Sequence, residues 1–236
     1  MTALPKFARR AAALGASTTL IFGLAACGGG SDEAATDKKD TEKSDSSNET
    51  EAEEETEQEA GEPDWANPVT EPGEKLTTVE AGDVKVDVYQ VDVVESPKAG
   101  SLMDKETKEL ILDEGDDIVF LNFVITNTGD PVDLGSSLVQ VDGKYKDWKY
   151  LGGMPSISDS ALFEEMEVNS GGLEPGKNTD PTIYTLGTNE TFSYGENYLY
   201  QKGSDITFTV DYTPVDDQGE LIHDDKVEGE GDTKLK

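Results

Sequence analysis

The chain has 236 residues, 51 acidic against 19 basic, with one Cys and one His. A formal charge of -32 excludes the basic footprint that nucleic-acid binding needs. The single Cys and single His also exclude a disulfide framework, a histidine-based zinc site and a Ser-His or Cys-His catalytic pair.

Lys6, Arg9 and Arg10 give the N-terminus a positive start, and residues 11–23 form a mostly apolar run with Leu14, Leu20, Ile21 and Phe22. A basic start, a short apolar run and small residues after it are the order of a secretory signal. The run is too short to span a bilayer comfortably. It leads into Leu24-Ala25-Ala26-Cys27, followed by Gly28, Gly29 and Gly30. Those four residues resemble the lipobox of bacterial lipoproteins. The resemblance implies that a signal peptidase recognises Leu24, Ala25 and Ala26 and cuts before Cys27. It also implies that the Cys27 thiol carries a diacylglycerol with palmitate-type chains. Two acyl chains anchor stably where one is marginal. The expected location is the cell membrane, on its extracytoplasmic face. Arg9-Arg10 also suits twin-arginine export, but Ala11, Ala12 and Ala13 follow the pair, so general secretion is expected. Cleavage removes every Arg in the chain, and with them bidentate recognition of phosphate.

Composition divides the chain into a signal peptide (1–26), an acidic linker (27–63) and one domain (64–236). The linker holds almost no apolar side chain larger than Ala, and six of the nine residues 51–59 are Glu. Such a segment cannot bury enough surface to offset its ordering entropy, so a disordered, charge-extended tether is expected.

The domain reads as strands. Val84, Val86 and Val88 alternate with Lys85, Asp87 and Tyr89, the period of a half-buried strand. The phase shifts at Gln90, with Val91 and Val93 carrying the apolar face onward, and a bulge reconciles the two. In 118–126, Val119, Leu121, Phe123 and Ile125 line one face, while Ile118, Phe120 and Val124 make the other partly apolar. That pattern predicts a central strand, ended by Asn127-Thr128-Gly129-Asp130-Pro131. Asp142-Gly143 between 138–141 and 144–150 predicts a hairpin turn. Further strands are expected at 182–186, 190–194 and 206–212, with Pro214 as a stop. Residues 158–168 alone look helical, with Leu162, Phe163 and Met166 clustered and Ser or Asp available as a cap. Whether 227–236 pairs as a strand stays open. Six or seven short strands separated by turns predict an all-β, antiparallel β-sandwich.

Residues 119–132, Val-Phe-Leu-Asn-Phe-Val-Ile-Thr-Asn-Thr-Gly-Asp-Pro-Val, resemble the central strand and turn of a telokin-like, immunoglobulin-like domain carried by lipoproteins of Gram-positive type. Leu173-Glu174-Pro175-Gly176-Lys177 resembles its turn before a later strand. The resemblance implies an extracellular immunoglobulin-like sandwich and brings no catalytic residue with it. The immunoglobulin disulfide has no counterpart here.

Few residues suggest chemistry. Gly171 to Asn178 comes near a phosphate loop, but Asn178 replaces the magnesium-binding Ser or Thr and Pro175 removes an amide, so a turn is expected. Asp113, Asp116 and Asp117 could help bind calcium, which takes six to eight oxygens. The ordinary alternative is a solvated acidic surface. Asp216-Asp217 and Asp224-Asp225 form a second acidic pair of sites near His223, which reads as surface. With so many acids, a chance carboxylate pair is no sign of glycoside hydrolysis. Tyr145, Trp148 and Tyr150 could form a binding platform, as could later tyrosines, although core packing is the plainer reading. The expectation is a non-enzymatic, lipid-anchored surface protein that binds an envelope protein. A calcium-dependent surface module is the alternative.

Overall fold

Strand β3 (Asp117–Asn127) is buried on both sides and organises everything around it. The structure is a computed structural model that describes residues 61–236. Cys27, Leu24, Ala25, Ala26 and the tether up to residue 60 lie outside the described residues. In chain order the elements are β1 (Glu74–Ala81), β2 (Val84–Glu95), β3, β4 (Val132–Leu134), β5 (Gln140–Tyr145), α1 (Ser160–Glu165), β6 (Tyr184–Leu186), β7 (Thr191–Leu199), β8 (Asp205–Tyr212) and β9 (Val227–Lys234). All strand pairings are antiparallel. They build one sheet of order β1-β2-β3-β7, a second of order β5-β8-β9, and a short β4-β6 ladder. This is the antiparallel all-β sandwich expected from the strand periods.

Val119, Leu121, Phe123 and Ile125 face the main core, with Val84, Val86 and Val88 of β2 and Ile206, Phe208 and Val210 of β8. Each such burial stabilises by about 1.5–3 kcal/mol relative to exposure. Ile118 and Phe120 point the other way, into a second cluster with Leu112, Ile157, Phe163 and Val168. Helix α1 covers that face. Asp159 caps it by accepting from the Leu162 amide at 3.3 Å, and Phe163 meets Phe120 edge-on at 5.2 Å.

The predicted bulge in β2 is present, with the register slipping between Gln90 and Asp92. Its consequence differs in one residue. Val93 packs on the main core, but Val91 turns to the second cluster with Val94.

The predicted hairpin at Asp142-Gly143 is absent. Strand β5 runs straight through both residues and pairs with β8 along its whole length. Gly143 faces inward, where a Cβ would stand 3.0 Å from both Phe208 and Tyr198. The glycine makes room for aromatic packing rather than a turn.

The sheets close on each other by two different devices. Along β9 the inward positions are Val227, Gly229, Gly231 and Thr233. A Cβ on Gly229 would overlap the backbone of Glu80, and one on Gly231 would overlap Val79, so β9 lies directly against β1. Along β5, tyrosine hydroxyls from β7 serve the open edge. Tyr194 accepts from the Val141 amide at 2.9 Å and donates to the Val139 carbonyl at 3.1 Å. Tyr198 accepts from the Gly143 amide at 3.4 Å. Tyr145 reaches back, donating to the Leu199 carbonyl at 2.8 Å and accepting from the Gln201 amide at 3.0 Å. Burial pushes the Tyr145 phenol up to about 12 and raises Tyr194 and Tyr198 as well.

The described chain enters at Gly61, whose carbonyl accepts from the Thr191 amide at 2.8 Å, and Pro63 is buried. Contacts with the sandwich therefore begin just before residue 64. Gly61 lies at the end where β3 finishes and β7 begins. The eleven residues of β3 set the two ends of the sandwich about 35 Å apart.

Candidate functional site

Two excursions meet at the end of the sandwich far from Gly61: residues 96–116, between β2 and β3, and residues 146–158, after β5. The first doubles back on itself as a narrow arm. Gly100 donates to the Leu112 carbonyl and Ile111 to the Leu102 carbonyl, each at 2.9 Å, and Met103 bridges to Leu110. Asp104 sets its tip. One carboxylate oxygen accepts from the amides of Glu106 at 2.7 Å and Thr107 at 3.3 Å. The other accepts from the Tyr150 hydroxyl at 2.8 Å and faces the Lys149 ammonium at 3.6 Å. The Glu106 amide and the Tyr150 hydroxyl hold this carboxyl down at about 2. Asp104 is thus an ionised pin that ties the arm to the second loop.

The second loop is fixed on both sides of an exposed tip. Trp148 meets Tyr150 edge-on at 4.9 Å, and its indole donates to the Gly152 carbonyl at 3.3 Å. Beyond the tip, Met154 is buried. The buried Asn197 side chain accepts from the Ile157 amide at 2.9 Å and donates to its carbonyl at 2.8 Å. Between these anchors Leu151 stands 98% exposed, and neither Gly152 nor Gly153 has an atom near the place of a Cβ.

The loops border an open cleft made of two adjoining concavities that share Asp104, Ile111, Lys149 and Tyr150. One part, about 450 Å³, is bounded by Thr107, Leu110, Trp148, Leu199 and Gln201. The other, about 520 Å³, is bounded by Leu102, Met103, Ile111, Tyr150 and Leu151. Concavities of this size with aromatic walls are the usual shape of a binding site. Lys98, Lys105, Lys108, Lys146 and Lys149 stand against Asp104, Glu106, Glu109, Asp113, Glu114, Asp116 and Asp147 in these stretches, so this end is less acidic than the rest of the domain but still carries a net negative charge. The sequence signalled Trp148 and Tyr150 as a platform. It gave no sign of Asp104, Met103 or Leu151.

The other predicted residues fall elsewhere. Asp113 and Asp116 form a turn in which the Asp116 carboxylate accepts from the Asp113 amide at 2.8 Å, with Gly115 at φ 91°. Asp117 begins β3. Among the described residues no group of three His, Cys, Asp or Glu side chains is set to hold a metal ion. Residues 171–178 form a turn, with Gly176 at φ 89° and the Lys177 amide donating to Glu174. Tyr145, Tyr184 and Tyr198 are buried in the core.

At the opposite end, Asp216 accepts from the amides of Gln218 at 2.9 Å and Glu220 at 3.0 Å, which holds its carboxyl below the usual range. Val215 bridges to Leu221, and the exposed His223 follows in a short 3-10 turn with Asp224 and Asp225. The one lysine beside this loop, Lys226, is taken up by Asp211 and Glu228.

No known protein family matches the chain, and no curated protein resembles it significantly in sequence. Among solved structures, a crystal structure of ycdA from Bacillus subtilis, described as a lipoprotein, matches with a TM-score of 0.30 and 18% identity. The match covers 69% of this chain and 39% of that chain. A likeness this slight says nothing of function. Among the described residues no helix is long and apolar enough to cross a membrane.

Proposed function

We propose that this chain is a non-enzymatic lipoprotein held to the outer face of the cell membrane through Cys27, and that its immunoglobulin-like domain binds a protein of the cell envelope. The anchor rests on Leu24-Ala25-Ala26-Cys27 at the end of an export signal. The binding role rests on one observation above the others. Leu151 and Met103 are exposed beside Trp148 and Tyr150, on loops that Asp104 and Asn197 hold fixed. An apolar, aromatic-walled patch with a polar rim is the surface that protein partners use. Prior fixing of the loops lowers the ordering cost of such a contact.

Two experiments test this function. Replacing Cys27→Ser releases the protein from the membrane fraction, and an uncut, membrane-bound variant contradicts the anchor. Crosslinking of intact cells captures a discrete envelope protein through this end of the domain, and Leu151→Asp abolishes the capture. Capture that is indifferent to Leu151 contradicts the site.

A further inference from the structure

Strand β7 turns Phe192, Tyr194, Glu196 and Tyr198 toward the main core. Three of these are aromatic, and the two tyrosines carry the hydroxyls that close the open edge of β5. Glu196 is the exception. It sits between the tyrosines, and its partner across the ladder in β3 is the fully buried Leu121. A carboxylate on the inner face of a strand is costly unless something pairs with it. Among the described residues its side chain makes neither a hydrogen bond nor an ion pair.

The group it meets instead is another acid. Glu196 and Asp142 of β5 line one hollow of about 350 Å³, together with Ser137, Gln140, Ser170 and Tyr194. No lysine or histidine lines it. Asp142 is exposed and unpaired, and Lys144, next along the same face of β5, makes no ion pair with either carboxylate. Burial raises Glu196 above its ordinary value of 4.5, and the Asp142 charge raises it further. After burial, the Glu196 charge also bears on the phenols of Tyr194 and Tyr198. The four groups therefore meet along the edge where side chains, rather than a neighbouring strand, hold β5.

We propose that Glu196 is a proton-operated latch on the seam between β5 and β7, with Asp142 as the charge that works against it. Ionised, Glu196 draws water toward the inner face of β7 and repels β5. Protonated, it loses both effects, and the tyrosine hydroxyls keep the Val141 and Gly143 amides. A raised folded value means that the folded chain holds the proton more tightly than the unfolded one. The stability this brings is fully present below the ordinary glutamate range and is lost as pH rises through the folded value. The seam is thus firmest in mild acid and opens more often toward neutral pH. The latch lies inside the sandwich, so it stands whether or not Cys27 carries lipid or the cleft binds a protein.

The test uses the full-length chain in detergent, from about pH 4.5 to about pH 7.5. It reads the melting midpoint and the hydrogen exchange of the Val141 and Gly143 amides, corrected for the intrinsic pH dependence of exchange. In the parent, protection of both amides falls as pH rises. Glu196→Gln, uncharged and of the same shape, melts above the parent at the upper pH and removes that fall. Asp142→Asn changes an exposed residue, leaves the fold intact and does the same to a smaller degree. Glu114→Gln, exposed and away from the seam, takes one charge from an acidic domain and sets the background. Equal gains from Glu196→Gln and Glu114→Gln at every pH reduce the effect to net charge and overturn the latch. A Glu196→Gln chain that melts below the parent at the upper pH, with Asp142→Asn indistinguishable from the parent, shows the ionised carboxylate holding the seam and also overturns it.

Discussion

Replacing Tyr194 with Phe deletes one oxygen and tests how the open edge of β5 is closed. That oxygen accepts from the Val141 amide at 2.9 Å and donates to the Val139 carbonyl at 3.1 Å. Val141 and Val139 are both buried, so water does not replace the lost partner easily. An unsatisfied buried backbone group costs about 1–3 kcal/mol. For a domain of this size each kcal/mol moves the melting midpoint by about 2–4 °C. Tyr194→Phe should therefore melt about 2–12 °C below the parent. Tyr198→Phe should lose less, because its hydroxyl holds only the Gly143 amide, at 3.4 Å. Calorimetry and urea titration of the three proteins measure the order directly. A Tyr194→Phe variant as stable as the parent, or a larger loss from Tyr198→Phe, refutes the hydroxyl seam. The same seam sets an alkaline limit. An unfolded phenol ionises near 10, whereas burial raises Tyr145 to about 12 and also raises Tyr194 and Tyr198. A raised folded value gives stability that is fully present below pH 10 and lost as pH climbs towards 12. Melts across that window, with tyrosinate absorbance as a second probe, should show ionisation and unfolding together.

Three further outcomes follow from other parts of the molecule. Gly229→Ala pushes a methyl into the backbone of β1 and should cost about 3 kcal/mol, the upper end for overpacking, whereas Gly152→Ala, with open space around it, should leave the midpoint unchanged. Asp104→Ala should free Tyr150 and shift Trp148 fluorescence to longer wavelength at neutral pH. The parent should make the same shift only in strong acid, because a depressed carboxyl contributes above its unfolded value and loses its contribution as pH falls through about 2. Melts with calcium, magnesium or chelator should coincide, and a rise of many degrees at millimolar calcium alone would return a metal role to Asp113, Asp116 and Asp117.

The parts of the fold legible in the sequence were those whose cause is local. Alternation in β2, its phase slip at Gln90 and the two apolar faces of β3 each follow from neighbours along one strand. Where the cause is a distant strand, the local pattern misled or fell silent. Asp142-Gly143 has the residues of a turn, yet Gly143 is a strand residue because Phe208 and Tyr198 need the space. Strand β9 carries almost no apolar signal, because its inward glycines answer to β1 rather than to a core. The site followed the same rule. Trp148 and Tyr150 were visible as neighbouring aromatics, but Asp104 lies 46 residues from Tyr150 and only the fold brings them together. Leu151 matters through its exposure, which composition does not encode.

The central claim is that the cleft between the 96–116 and 146–158 loops is the surface this protein uses. A photo-crosslinking residue placed at Leu151 in the full-length chain tests it in cells, with the same residue at the exposed Glu114, outside the cleft, as the comparison. The expected result is a discrete protein adduct from position 151 and none from position 114. Equal labelling from both positions, or none from 151 at full expression, contradicts it.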